Sequence, residues 1–315
     1  MKKVILTVLS IIIIFQFSAC KKDGSEDLFP EILIESQNIK GGLMSVFFID
    51  ANTGWIVGNN DTIYKTKDGG NMWSVSTSGT DKYLASVCFV DEDTGYCVGD
   101  AGTILKTVNG GKTWNKINRW DGNLNAVTFI NHDKGFIVGD VGALLKTEDG
   151  GITWNYMNCG IRNCLTSIDF VDENIGYIVG WAGTIIKTVD SGNTWTLLDG
   201  KGIWLESVNF IDQYHGFAAG GELPTGNGVV MKTFDGGITW STSKLSERGF
   251  HSIFFTNKNV GYTVGWDGIL LKTIDGGLNW SITNSGTTNH LFSIFFPDNK
   301  TGYVVGNNTI IKIAE

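Results

Sequence analysis

The sequence predicts an all-β fold, a seven-bladed β-propeller of four-stranded blades, and three observations predict it. A pattern whose fullest form reads L-x-S-V-x-F-x-D-x-x-x-G-Y-x-V-G-x-x-G-T-I-x-K-T-x-D-G-G-x-T-W recurs about every 41 residues. Its second glycine falls at Gly58, Gly99, Gly139, Gly180, Gly220, Gly265 and Gly306, and a period of about 40 to 45 residues marks propellers and solenoids. Each unit holds short runs rich in Val, Ile, Thr and aromatics, separated by Gly, Asp and Asn clusters, and no stretch sustains helical periodicity. The ends are complementary. The last unit runs from Leu291 to Lys312 and stops without a fourth run, while Glu31–Asn38 offers one ahead of the first unit. Ile32 precedes Leu43 by the same interval as Trp280 precedes Leu291. The N-terminal strand is therefore expected to join the C-terminal blade and close the ring, which removes exposed sheet edges.

The elements follow in order. The second unit shows the plan: an alternating first strand (Leu84 to Phe89), a short second strand (Gly95 to Gly99), a third (Thr103 to Thr107) and a fourth starting at Trp114. The expected blades are about 43–80, 84–118, 124–159, 165–199, 205–245, 250–285, and 291–313 completed by 31–38. The turn between third and fourth strands reads T-x-D-G-G-x-x-W at Thr66–Trp73, Thr147–Trp154, Thr233–Trp240 and Thr273–Trp280, with Asn109 for Asp in the second unit and Ser191 for the first Gly in the fourth. A short carboxylate there accepts hydrogen bonds from its own turn, glycine permits positive φ, and tryptophan packs on the sheet. This is the Asp-box, or BNR repeat. Because it recurs on six blades, its aspartates are expected to be turn staples, not acids or metal ligands. The lysine of every unit (Lys65, Lys106, Lys146, Lys187, Lys232, Lys272, Lys312) is expected to lay its stem on the sheet with its charge solvated or paired.

Residues 1–20 read as a targeting segment: Lys2 and Lys3, an apolar run from Val4 to Phe17, then Ser18-Ala19 before Cys20. This resembles a bacterial lipoprotein signal, with Cys20 as the lipidated residue and 21–30 as a polar tether to the propeller at 31–315. The expected location is the outer membrane, held through the lipid on its periplasmic or surface side. Of the other cysteines, Cys159 and Cys164 bracket a four-residue loop that permits a disulfide. Cys88 and Cys97 lie on consecutive strands, as a disulfide or as buried free thiols. The formal net charge is −8 and the only arginines are Arg119, Arg162 and Arg248, which argues against a nucleic-acid partner. No histidine pair has metal-ligand spacing, and nothing calls for a cofactor.

G-[WYF]-x-V-G followed by G-T-[IL]-x-K-T-x-D-G-G-x-T-W resembles the photosystem II stability and assembly factor-like family, over essentially all of residues 31–313. The resemblance implies a seven-bladed Asp-box propeller without catalysis that acts as a binding scaffold. Plant and cyanobacterial members use an arginine-rich patch for their partner. Three arginines cannot rebuild such a patch, so no binding residue is carried over.

Subtracting the repeat leaves the candidates. Loops between blades, and loops between second and third strands, open on one face; the Asp-boxes lie on the other. The first face collects Tyr83, Arg119, Trp120, Arg162, Trp204 and Arg248 from the connections, and Asp100, Asp140, Trp181, Trp266 and Asp267 from the second-to-third-strand loops. Trp55 fills a Tyr/Phe column of the repeat and is expected in the core. The fifth unit carries an insertion at Glu222–Gly228 in that loop. Tryptophan and arginine are the residues that anchor interfaces. The expected role is a monomeric, non-catalytic scaffold for a protein partner on the cell envelope. The alternative is a glycan-binding or glycan-cleaving propeller, which would need two carboxylates at suitable separation.

Overall fold

The computed structural model describes residues 33–37, 39, 41–59 and 61–315. The targeting segment, the tether and Cys20 lie outside the described residues, as does the side chain of Arg119. The chain forms seven four-stranded antiparallel sheets, six of them in sequence order from the inner strand outwards. The second blade is Leu84–Phe89, Thr94–Gly99, Thr103–Val108 and Asn115–Arg119. In the seventh, Leu291–Phe295, Thr301–Gly306 and Thr309–Ala314 are joined by Leu33–Gln37, which pairs antiparallel with the last of these from Leu33↔Ala314 to Gln37↔Ile310.

The core is divided as the blades are. Seven buried apolar clusters each join the faces of two neighbouring sheets. Inside each, the phenylalanine that ends one inner strand lies flat on the second-strand aromatic of the preceding blade. The pairs are Trp55–Phe89, Tyr96–Phe129, Phe136–Phe170, Tyr177–Phe210, Phe217–Phe255, Tyr262–Phe296 and Tyr303–Phe48, with centroids 3.5 to 4.8 Å apart. Trp55 is fully buried in this layer. The Asp-box tryptophan of the same blade then sets its edge against the phenylalanine, as Trp114 does on Phe89 at 86°. Flat and edge-on contacts are the favoured aromatic geometries.

The glycine that opens each second strand makes the flat stack possible. A Cβ on Gly95 would sit 2.4 Å from the Phe89 ring, so only hydrogen fits there.

The lysine column also bridges blades. Lys65 Nζ donates to the Gly110 carbonyl at 2.6 Å, Lys106 to Gly150 at 2.7 Å, Lys187 to Gly236 at 2.9 Å, Lys232 to Gly277 at 3.1 Å and Lys312 to Gly69 at 2.9 Å. Each acceptor is in the Asp-box turn of the next blade. The tyrosine hydroxyl beside the lysine often shares it, as Tyr303 Oη donates to Gly69 O at 2.9 Å. Lys146 instead reaches Asn193 in the following turn, and Lys272 pairs with Glu315. The seventh blade has no Asp-box, and the buried Tyr262 hydroxyl that faces it has no partner among the described residues. The ammonium groups are thus held by oxygen acceptors across blade interfaces.

Inside the Asp-box the staples form as the residue types require. The Thr147 hydroxyl donates to Asp149 Oδ1 at 2.8 Å and accepts the Gly151 N–H at 2.8 Å, and Asp149 accepts the Thr153 N–H and hydroxyl. These donors hold the carboxylates of Asp149, Asp190 and Asp235 down to about 2, the Thr hydroxyl at the far end of each turn acting most strongly.

Among the described residues the four cysteines are free thiols. Cys88 stands opposite Tyr96 and Cys97 opposite Val87, so their side chains leave the sheet on opposite faces and enter different clusters. Burial pushes the Cys88 thiol up to about 12. The 159–164 disulfide permitted by spacing is absent: Cys159 Sγ turns to the Gly142 carbonyl, and Cys164 Sγ lies 3.1 Å from Asp140 Oδ1.

One inner-strand carboxyl was not singled out from sequence. Asp169 accepts the Phe210 N–H of the next blade at 2.6 Å, and burial raises it from 3.8 to about 6. In the fifth blade Asn209 holds the same column and accepts the Phe255 N–H at 2.9 Å.

Two outcomes are expected. Gly95→Ala forces Phe89 off Trp55 and costs about 1–3 kcal/mol of stability, the usual range for overpacking, read as a lowered denaturation midpoint. For Asp169 the folded-state value lies above the ordinary one, so its share of stability is full below 3.8 and declines as pH rises to about 6. Asp169→Asn removes that decline and raises the urea midpoint at pH 8, checked by unfolding curves from pH 4 to pH 8.

Candidate functional site

On the face away from the Asp-boxes, each second strand except that of the fifth blade ends at its repeat glycine. In four blades the turn is a single helical turn of three residues: Asp100–Gly102, Asp140–Gly142, Trp181–Gly183 and Trp266–Gly268. Its middle residue takes a left-handed conformation, with φ from 51° to 57°. The geometry repeats while the first residue varies, so the turn holds Asp in two blades and Trp in two others. In the fifth blade the inserted residues extend the second and third strands into a longer hairpin, Gly216–Glu222 and Asn227–Thr233.

These parts surround an open cleft of about 490 Å³, lined by Trp181, Trp204 and Glu206, by Glu222 and Leu223 of the hairpin, and by Arg248, His251, Trp266, Asp267 and His290. Five of the expected residues meet here: Trp181, Trp204, Trp266, Arg248 and Asp267. Trp181 is 38% exposed and Trp266 is 41% exposed, so neither is a buried plug. Trp204, half-buried, stacks on Trp181 at 4.6 Å and 7°. Trp266 meets His290 edge-on at 4.5 Å and packs against His251 at 4.8 Å.

The polar groups are spaced among the rings. Trp181 Nε1–H donates to Glu206 Oε1 at 3.2 Å. Burial raises the Glu206 carboxyl to about 7, and the indole donor only partly opposes this. His251 is pushed down to about 4, first by burial and then by His290, and its Nε2 has no partner among the described residues. His290 Nδ1 accepts the Asp267 backbone N–H at 3.1 Å, which places the proton of neutral His290 on Nε2. Asp267 Oδ1 lies 3.6 Å from His290 Nδ1, and Asp267 Oδ2 pairs with Arg248 Nε at 3.3 Å. Glu222 pairs with Lys244 at 2.6 Å.

The other expected residues lie elsewhere on the face. Trp120 stacks on Tyr156 at 5.5 Å. Arg162 is exposed on the connection after the third blade. Burial, then the charge of Asp100, lifts the Tyr83 hydroxyl to about 12. Asp100 is itself raised, by burial and then by Asp140. Asp140 accepts from Asn123 and Asn125 and meets Cys164.

Sequence reasoning did not single out Glu206 and His251. Both occupy the second column of L-x-S-V, which reads Met44, Ala85, Asn125, Thr166, Glu206, His251 and Phe292 around the ring. That column has no consensus, and its variability inside a strict repeat was the available signal.

The fold and the cleft define a class: a seven-bladed Asp-box propeller whose unrepeated aromatic and charged residues converge at one place on one face. The chain belongs to the family described as photosynthesis system II assembly factor YCF48, whose model matches residues 29–124, 72–160, 118–199 and 198–284. Among solved structures it is similar to YCF48 bound to D1 peptide, at 19% identity and TM-score 0.75, covering 91% of this chain and 96% of that one. It is also similar to YCF48 from Cyanidioschyzon merolae, at 18% identity and TM-score 0.72, covering 90% and 98%. The WD40 propeller domain of Doa1 matches at 12% identity and TM-score 0.73, covering 91% and 98%. No curated protein matches.

The Trp181–Glu206 pair gives a direct measurement. The indole N–H resonance of Trp181 is expected to shift with a midpoint near pH 7 as Glu206 ionises, and Glu206→Gln should abolish that titration in an NMR pH series.

Proposed function

We propose that this chain is a non-catalytic binding and assembly scaffold of the bacterial cell envelope, a monomeric propeller held to the outer membrane by a lipid on Cys20. It grips a protein partner in the cleft of Trp181, Trp204 and Trp266. The observation that carries this reading is the convergence of three partly exposed tryptophans, none of them repeat residues, in one open cleft. Large, rigid aromatic side chains around a pocket are the usual centre of an interface. The family supports the scaffold role: a YCF48 structure is of a complex with D1 peptide. The likeness to that structure extends to the fold alone.

A glycan is the second reading, favoured by one observation: the Glu206 carboxyl, raised to about 7, stands against a stacked tryptophan pair. Such a site could also present an acid to a sugar ring, and cleavage would require a second carboxylate at suitable separation.

Affinity capture with the lipidated chain from its own envelope tests both. Trp181→Ala and Trp266→Ala should each reduce partner recovery at least about tenfold, the effect of losing a central aromatic anchor. Unchanged recovery in both would count against this face. Binding to a glycan array, lost in the same variants, would favour the second reading.

A further inference from the structure

The charges of the cleft do not balance locally. Of its three carboxylates, Glu222 has Lys244 and Asp267 has Arg248. Glu206 has no cationic partner among the described residues; its one side-chain hydrogen bond is from the Trp181 indole. The groups that face it or share the cleft are His251 from the neighbouring inner strand, Asp267 and His290 around Trp266, Arg248 from the connection, and Glu222 from the hairpin. The Cys164 thiol lies close enough to feel its charge. Arg248, mostly exposed and occupied by Asp267, does not neutralise it.

Indole rings draw cations to their faces through the negative potential of the π-system. A carboxylate set into the same wall, without a counter-ion and mostly removed from water, adds a charge that a cation would satisfy and an anion would oppose. The cleft volume of about 490 Å³ also exceeds what one ammonium group fills and suits a short length of chain. We propose that the cleft receives a lysine or arginine side chain of an extended protein segment, with Glu206 as its counter-charge and Trp181 and Trp266 as its aromatic walls. This rests on the reading of the cleft as a protein-binding face.

The proton balance gives the inference its signature. Below neutrality Glu206 holds a proton, because burial raises it to about 7. A bound cation favours the carboxylate, so binding releases that proton to solvent and tightens as pH rises. From pH 6 to pH 8 the affinity should increase about tenfold, by linkage.

The test is calorimetry on the full chain with glycine-flanked pentapeptides carrying a central lysine, arginine, norleucine or glutamate, and with n-butylamine as a free amine. Lysine and arginine peptides are expected to bind about tenfold more tightly than the norleucine peptide at pH 8. Their heat should vary with the buffer's ionisation enthalpy at pH 7. Glu206→Gln should erase both the preference and the buffer dependence. The pH series on the unaltered protein provides the same readout if that variant fails to fold. Equal or tighter binding of the norleucine or glutamate peptide would overturn the cation assignment. Butylamine binding as tightly as the lysine peptide would overturn the protein segment as its source. If no peptide binds while envelope capture still depends on Trp181 and Trp266, the cation inference fails and the protein-binding face stands. If neither holds, both fail.

Discussion

The flat stack of phenylalanine on the preceding blade's aromatic ring is the contact on which the propeller depends. It occurs once at every blade interface, and much of the surrounding sequence serves it. The glycine before the second-strand aromatic clears space for the ring, the Asp-box tryptophan fixes its edge, and the lysine opposite reaches over it to the next turn. A sheet has two faces and each blade must bury both, so one blade has no stable existence without its neighbours. The seventh interface, Tyr303 on Phe48, meets the same need between the last and the first repeat. Lys312 and Tyr303 both donate to Gly69 there, contacts between residues 243 and 234 positions apart in sequence.

The same arrangement separates architecture from recognition. The Asp-box carboxylates are the most conspicuous acids of the sequence, yet their lone pairs are taken by their own turns. At the opposite end of the blade the turn has a fixed backbone and a free first position. Trp181 and Trp266 use that position in the fourth and sixth blades, as Asp100 and Asp140 do in the second and third. Chemistry varies there because the flat aromatic stack between blades does not involve that side chain, whose own neighbours differ from blade to blade.

Much of this was legible in the sequence. Strands, turns, the buried Trp55 and the structural Asp-boxes follow from periodicity, because a repeat multiplies each local signal. Subtracting the repeat also brought out Trp181, Trp204, Trp266, Arg248 and Asp267. It did not separate them from Trp120, which packs on Tyr156, or from Tyr83 and Asp100, which lie on the same face away from the cleft. Glu206 and Asp169 have no local signature as single carboxylates in apolar strands, and for Glu206 the signal lay only in comparing its column across the seven units. The Cys159–Cys164 spacing allowed a bond that the loop does not make, since the two thiols turn to separate partners.

What the sequence determined by itself was the repeating unit, its number and the order of its strands. Hydrophobic alternation, turn residues and the displaced fourth strand are local properties, readable along the chain. Tertiary structure alone decided which exceptions meet. Residues from Trp181 to His290 share one cleft only because four consecutive blades bring the same ends of their strands round a common axis. It also decided the state of Glu206: a carboxyl's proton depends on the water and charge around it, and these are set by rings and strands that the chain places beside it only when folded.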